Sequence, residues 1–457
     1  MHNEKDYETL ESGIKALLKY WKTSRQIDDP VIQETDYDAL ETIFSTLTLE
    51  SSTKTKGLKE NPEHFFDALN TYLEFCTKTN HPLFCDRLNG ATSEITVLSS
   101  LLEIFSNTTM ATYKASTAAT VIENKMIQKL CRMTGFSPGD GIFTPGGTFS
   151  NGLAVLCARQ TKFPDIRKKG LSHHKPLSIF VSDQAHYSFE TTAIQQGIGS
   201  DYVYKVQTNE LGQMSPIELE SSIKNSLEKG EQPFFVCATA GTTVTGAFDD
   251  LEAINAICKK YQLWFHVDAA YGGSLLFSNK FKSLLTGINL ADSSTLDFHK
   301  LLGAPIPCSV FLSQSNSILM EACTPITNSG NTDYIFNHKS THDLGKKSLQ
   351  CARPADAIKL WLSWLYEGTE GFENRIGQLI TLAAELESLI SQHKRLKLVI
   401  PRQSTNVCFQ VLPLTADISI DNYNRELNDR LFEKGHLIQT ALPFKDTYIL
   451  RSEEHHV

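Results

Sequence analysis

An α/β fold with a mostly parallel sheet is the architecture this chain predicts, and three observations predict it. Phe234 to Ala240 is an apolar, strand-like run. Asp249-Asp250 then caps a helix with apolar residues at Leu251, Ile254, Ile257, Cys258 and Tyr261, and Leu263 to Asp268 reads as the next strand. Such a βαβ unit places its two strands parallel in one sheet through a right-handed crossover. The alternation extends over about 95 to 365, with Ser178 to Ser182 as another strand, Ser215-Pro216 opening a helix and Gly230 closing one. The residue types that carry chemistry fall just after the strand ends, where open α/β sheets bind ligands.

The flanks read differently. Residues 1 to about 75 form helices with polar interruptions, including Ile14, Leu17, Leu18 and Trp21 at helical spacing. Their apolar faces require cover, from the main domain or from a second copy of the chain. Beyond about 370, a helix over Ile376 to Ser391 precedes two strand-like segments, Leu396 to Ile400 and Asn406 to Val411, which suits a small α+β domain. The expected division is a helical, dimerising segment over 1–90, a large domain over 91–365 and a small C-terminal domain over 366–457.

A chain of 457 residues is too long for one small core. Its 41% hydrophobic and 21% charged content is ordinary for a globular protein. A net charge of −9 and a pI near 5.9 argue against a nucleic-acid partner. No apolar stretch is long enough to span a bilayer, and Met1 to Asp6 lacks the basic-then-apolar order of a signal peptide. The ten cysteines, from Cys76 to Cys408, have no paired spacing, and several sit in apolar runs, as reduced core cysteines of a cytoplasmic protein do. His173-His174 and His455-His456 are adjacent pairs in polar contexts, and no Cys/His cluster has zinc spacing, so no metal is expected.

The chemistry concentrates in a few segments. Asp268 ends the run Leu263-Trp264-Phe265-His266-Val267, and Lys300 follows 32 residues later, after the strand-like Asp292 to Leu296. Pyridoxal phosphate needs such a pair, a lysine amine for a Schiff base with the aldehyde and a carboxylate that keeps the pyridine nitrogen protonated. Either residue alone is more often structural. Gly139 to Asn151 reads as a strand, a glycine turn and a helix start, whose amides and hydroxyls can cradle a phosphate. It lacks the Gly-Lys-Ser/Thr ending of a Walker loop, and by itself could be a plain turn. His186, in Asp183 to Ser188, could lie flat on a cofactor ring or be a satisfied structural histidine. The same ambiguity attaches to His299 beside Lys300, and to Thr242-Thr243 after Ala240-Gly241.

In these segments the chain resembles the pyridoxal-phosphate amino-acid decarboxylases, the group II family of glutamate, cysteine-sulfinate and aromatic amino-acid decarboxylases. The similarity runs from about His81 to about Arg451 and is strongest to the glutamate/cysteine-sulfinate branch. It shows in His81-Pro82-Leu83-Phe84, Gly139 to Asn151, Ala238 to Asp249, His299 to Gly303, Leu349-Gln350-Cys351, Lys359 to Leu362 and Thr405 to Phe409. The resemblance implies a fold-type I homodimer with a mostly parallel seven-stranded sheet and an active site at the subunit interface. It assigns Lys300 to the Schiff base, Asp268 to the pyridine nitrogen and His186 to ring stacking. It gives Gly147 and Thr148 to the phosphate with His299 close by, Thr243 and Ala270 to the flanks of the ring, and Arg451 to the substrate α-carboxylate. The implied activity is α-decarboxylation of an amino acid to the amine and carbon dioxide.

The chain also departs from the family. Asp297-Phe298-His299-Lys300 stands where Asn-Pro-His-Lys is usual and is similar to the bacterial diaminobutyrate decarboxylases. Asp297 adds charge near a phosphate, so it is expected to be turned away or hydrogen-bonded. Arg87 replaces a branch glutamine that holds the substrate, and a cation there could pair with a side-chain carboxylate or sulfinate. The alternative is a surface salt bridge with Asp86 or Glu94. Ala111 replaces a branch phenylalanine and implies a roomier pocket. The loop over about Asn337 to Lys347 is short and lacks the family's proton-donating tyrosine, leaving His338 and His342 as nearby groups suited to that transfer. The chain stops six residues after Arg451, where the family continues into a strand and helix, so a shortened small domain is expected. The preferred substrate is acidic (glutamate, aspartate or cysteine sulfinate). The alternatives are an aromatic or diaminobutyrate-type substrate, or a cofactor-binding homologue with oxidative deamination or little catalysis.

Overall fold

The structure, a computed structural model, describes residues 4–45, 62–325, 335–336, 342–415, 417–435, 438–445 and 447–453. By contacts the chain divides into two compact units. One comprises Met1–Arg87, Ile390–Val399 and Phe409–His456, and the other Leu88–Leu389 with Ile400–Cys408.

The larger unit is built on seven strands, β1 (Asp140–Thr144), β2 (Leu177–Ser182), β3 (Val203–Val206), β4 (Gln232–Thr239), β5 (Trp264–Ala269), β6 (Ser293–Asp297) and β7 (Ser309–Ser313). Their order across the sheet is β1-β7-β6-β5-β4-β2-β3. Strand β7 runs antiparallel to both neighbours, and the other pairs are parallel. The expected mostly parallel α/β sheet is what the chain forms.

Strand β5 is buried along its whole length and β4 from Phe234 to Thr239, and successive side chains enter opposite cores. Val236 and Ala238 pack with Phe180, Phe265, Val267 and Leu296 on one face. Phe235 and Cys237 pack with Ile179, Val181, Trp264 and Phe311 on the other. Truncating a ring such as Phe235 to alanine costs about 3–5 kcal/mol in sites of this kind.

Local chemistry sets the helix starts. Asp250 accepts from the Ala253 amide (3.0 Å) at the head of Leu251–Tyr261. Ser215 caps Pro216–Glu228, whose proline occupies the first turn where no amide is needed. Asp249 is not part of a cap. Its carboxylate is fully buried and accepts from the amides of Thr239 (2.7 Å) and Met214 (2.6 Å), tying strand β4 to the 208–214 turn. Burial pushes its carboxyl up to about 7. The helix anticipated from Ile376 begins earlier, at Ala357. It runs to Gln392 with a break at Gly368, whose φ of 69° suits a residue without a Cβ.

The smaller unit contains helix Glu4–Thr23 and helix Ile420–Glu433. It also contributes to a five-stranded sheet in the order Phe84–Cys85, Ile438–Phe444, Thr447–Glu453, Asn406–Val411, Leu396–Leu398. Helix Glu4–Thr23 has no buried residue, and Leu17 and Leu18 are exposed. Ile14, Tyr20 and Trp21 are partly covered and the helix touches helix Pro62–Glu74, while Leu10, Leu17 and Leu18 stay exposed.

Candidate active site

The C-terminal ends of β4, β5 and β6 and the head of helix Gly147–Lys162 enclose one cavity of about 260 Å³. Gly146, Gly147, Thr148, Asn151, His186, Thr239, Gly241, Thr243, Asp268, Ala270, Tyr271, Asp297, His299 and Lys300 line it. Eight residues expected at a cofactor site from the sequence therefore line one cavity: Lys300, Asp268, His186, Gly147, Thr148, Thr243, Ala270 and His299.

Asp268 is 5% exposed at the end of β5. One carboxylate oxygen accepts from the Ala270 amide (3.0 Å) and the other from Asn151 Nδ2 (2.8 Å). Asn151 lies one helical turn after Gly147, so the helix that begins at the glycine turn also delivers the amide that grips the acid. The sequence reading gave Asn151 no role, although the i, i+4 spacing from Gly147 marks it as facing the same way.

His186 Nδ1 accepts from the Ser188 amide (3.2 Å), which leaves Nε2 to carry the proton of the neutral ring. Burial lowers its pKa, and the Lys300 ammonium lowers it further against the pull of Asp268. His299 is likewise lowered, chiefly by burial, and lies against the Cys308 backbone, Nδ1 being 3.3 Å from its amide.

The head of helix Gly147–Lys162 has no side-chain cap. Gly146 adopts φ 149°, and a Cβ on Gly147 would lie 2.8 Å from Asp297 Oδ2, so both positions demand glycine. Of the two arrangements expected for Asp297, turned away or hydrogen-bonded, it does not take the first. It is instead buried in the wall, with Oδ2 3.4 Å from Lys300 Nζ and 3.8 Å from His299 Nε2. The adjacent ammonium and the positive end of the helix compensate its charge there.

Other expectations fall outside the cavity wall. Ala111 is buried, with its carbonyl accepting from the Gly345 amide (2.9 Å). His342 is exposed, with its ring 5.8 Å from that of Tyr113. His338 lies outside the described residues. Arg87 belongs to the smaller unit, where its side chain is 71% exposed and pairs with Asp86 (3.1 Å). Of the two expectations for Arg87, the single chain shows the surface salt bridge with Asp86. Arg451, in the same unit, is 2% exposed and donates to the Asp86 carbonyl.

Residues 51–412 match the model of the pyridoxal-dependent decarboxylase conserved domain. The chain belongs to the pyridoxal-dependent decarboxylases. It is 36% identical to an acidic amino acid decarboxylase of Xenopus tropicalis over 85% of this chain and 78% of that one. It is 37% identical to the cysteine sulfinic acid decarboxylase of Homo sapiens over 78% of this chain and 72% of that one. The crystal structure of mouse CSAD in apo form superposes with a TM-score of 0.89 at 30% identity, covering 98% of this chain and 95% of that one.

The cofactor of this decarboxylase is accordingly pyridoxal phosphate, and the cavity fits it. A primary amine, a doubly held carboxylate and an uncapped helix head supply groups of the kind that the aldehyde, the pyridine nitrogen and the phosphate require. Thr239 Oγ1 is buried in the wall with no partner among the described residues, as a surface awaiting a polar ligand would be. Among the described residues no group of His, Cys, Asp and Glu could hold a metal, and no helix is long and apolar enough to cross a membrane.

Proposed function

We propose that this decarboxylase acts on an acidic L-amino acid, with glutamate, aspartate and cysteine sulfinate as the candidates, releasing carbon dioxide and leaving the amine. The observation that carries the mechanism is the convergence of Lys300, Asp268 and His186 at one uncapped helix head. The names of the relatives carry the substrate class.

Each residue has a part in this reading. Lys300 supplies the amine that holds the cofactor aldehyde. Gly147, Thr148 and His299 hold the phosphate, while Thr243 and Ala270 flank the ring. Asp268, fixed at both oxygens, keeps a proton on the pyridine nitrogen. Neutral His186 presents its flat face to the ring. When bound, pyridoxal phosphate supplies a pyridinium that accepts the electrons left by the departing carboxylate. Arg451 orients the α-carboxylate, and exposed His342, beside Tyr113, returns a proton to the substrate carbon. Arg87 pairs with the side-chain acid, and Ala111 makes the pocket roomier. An exposed arginine–carboxylate pair such as Arg87–Asp86 is worth only about 0–1 kcal/mol, so an anionic substrate can compete for it.

In the same reading the protein is a cytoplasmic homodimer. All ten cysteines are free, which supports a reducing compartment. Helix Glu94–Ser106 exposes Leu98, Leu102, Ile104 and Phe105, and helix Glu4–Thr23 exposes Leu10, Leu17 and Leu18. Apolar faces of this extent favour cover by a second copy; residues 1–90 are given that role, joined by helix Glu94–Ser106 at the start of the cofactor-binding region 91–365, and 366–457 forms the small domain.

The test is carbon dioxide release from glutamate, aspartate, cysteine sulfinate, diaminobutyrate and an aromatic amino acid, with peroxide and aldehyde measured alongside. An acidic substrate should have the highest kcat/KM. A higher value for the aromatic or cationic amino acid rejects the substrate class. Peroxide and aldehyde in place of the amine reject simple decarboxylation.

A further inference from the structure

The two groups that act on the cofactor ring, Asp268 and His186, are held by one side chain. Asn151 Nδ2 donates to Asp268 Oδ2 (2.8 Å) and to Ser188 Oγ (3.0 Å), and the Ser188 amide donates to His186 Nδ1 (3.2 Å). An asparagine amide can face two ways, and only one of them points N–H groups at a carboxylate. Something must select that orientation.

The selecting group is His266, on the opposite side of the amide. Its Nε2 lies 3.2 Å from Asn151 Oδ1 and 3.4 Å from Thr295 Oγ1. Its Nδ1 lies 2.8 Å from Ser293 Oγ, and Trp264 Nε1 donates to that same hydroxyl oxygen (2.9 Å). With its Nδ2 on the Asp268 carboxylate, Asn151 turns toward His266 an oxygen that can only accept, so Nε2 carries the hydrogen. In the neutral ring Nδ1 is then bare and accepts the Ser293 proton, while the Ser293 oxygen accepts the indole N–H. Burial holds the His266 ring neutral, its pKa pushed down to about 4. The donors therefore run in one direction, from Trp264 through Ser293 and His266 to Asn151 and on to Asp268, and Trp264, Ser293, His266, Asn151 and Asp268 are all buried.

We propose that Asn151 is a positioning residue that sets Asp268 and the Ser188–His186 arm in one geometry, and that neutral His266, as its Nε2–H tautomer, fixes the orientation of the Asn151 amide. This rests on the reading of Asp268 as the partner of the pyridine nitrogen. If the amide flipped, its carbonyl would face the carboxylate, two acceptors would meet in a buried site, and Asp268 would be free to turn.

The chain of donors predicts a contrast between two substitutions at one site. His266→Gln keeps an N–H directed at Asn151 Oδ1, whereas His266→Leu keeps the bulk and removes the donor. The dissociation constant for pyridoxal phosphate, kcat and KM are measured on the holoenzyme, and thermal melts on the apoprotein. His266→Gln should stay within about threefold of wild type. His266→Leu and Asn151→Asp should each lose at least about tenfold in cofactor affinity and in kcat, with KM little changed, as expected for a misplaced charge-assisted bond. Wild-type values for His266→Leu and Asn151→Asp, beside an impaired Asp268→Asn, would overturn the role of Asn151 alone. Near-normal turnover in Asp268→Asn would instead remove the Asp268 reading. Independently of any variant, nitrogen-15 NMR of histidine-labelled wild-type apoprotein should show His266 protonated on Nε2 at neutral pH. An Nδ1–H ring would leave a lone pair against Asn151 Oδ1 and overturn the proposal even if the variants do not fold.

Discussion

The cavity at the strand ends and the helices at the chain's start solve opposite problems. Around the cavity, acid, amide and imidazole are held by partners within one unit. Asp268 is gripped at both oxygens, Asn151 bridges to Ser188, and Lys300 lies beside Asp297. In helix Glu4–Thr23 no residue is buried, and in helix Glu94–Ser106 only Thr96 and Ser99 are, while Leu98, Leu102, Ile104 and Phe105 are exposed. The side chains around Asp268 in the first region find their partners within one folded unit. The second exposes apolar side chains such as Leu17, Leu18, Leu102 and Phe105, and their cover is proposed to be a second copy. A site made from strand ends is preorganised by the sheet, whereas a helical face of this kind acquires its role through assembly.

The sharpest way to break this contrast is to disturb the preorganised region. Asp268→Asn replaces a charge-assisted contact with a neutral one and should lower kcat by about tenfold to a hundredfold while the cofactor still binds. Turnover within twofold of wild type would mean that the grip on Asp268 serves the fold alone.

The next effect comes from the same network through pH. The ordinary histidine pKa of 6.5 falls to about 4 in buried His266. The unfolded chain gains that proton below about 6.5 and the folded chain does not. The stabilising contribution is therefore fully present above pH 6.5 and is lost as the pH falls toward 4. His266→Gln cannot titrate, so the stability difference between the two proteins should shift against wild type by up to about 3 kcal/mol across that window. Parallel melts from pH 7 to pH 4 give the number. A pH-independent difference would show that His266 takes up its proton freely in the folded state.

Charge placed on the bare helical face tests the other side of the comparison. Leu102→Asp with Phe105→Asp should weaken self-association by at least about tenfold, because an interface that buries these side chains would then have to desolvate two carboxylates. Light scattering across a concentration series checks this, and an unchanged dimer would place the interface elsewhere. The smallest effect expected on folding is that of Arg87→Gln. This residue is 71% exposed and paired only with Asp86 among the ion pairs described, so the melting temperature should move by no more than a degree or so. A change in kcat/KM that is larger for acidic substrates than for others would give Arg87 a part in substrate choice.

The sheet and most of the cavity were readable in advance because their signals are local. Alternating apolar runs mark β4 and β5, and Asp268 and Lys300 each follow a strand, so the topology that pairs the strands also brings these residues together. Asn151 escaped notice because its importance depends on His266 and Ser293, which lie 115 and 142 positions later in the chain and reach it only through the sheet. Asp297 was left between turning away and being bonded, because its partner Lys300 and the helix head come beside it only through the fold. Arg87 was left between a substrate contact and a surface salt bridge because charge and position in a motif do not reveal exposure.

The central claim is that Lys300 is the amine on which this site is organised, and chemical trapping tests it most directly. Borohydride reduction of the holoenzyme fixes the cofactor to the lysine that holds it, and peptide mass spectrometry locates that lysine. The account predicts the cofactor mass on the peptide containing Lys300, and a Lys300→Ala protein that neither carries the label nor shows the yellow absorbance of the bound cofactor. A label on any other lysine, or an unchanged absorbance in Lys300→Ala, would contradict it.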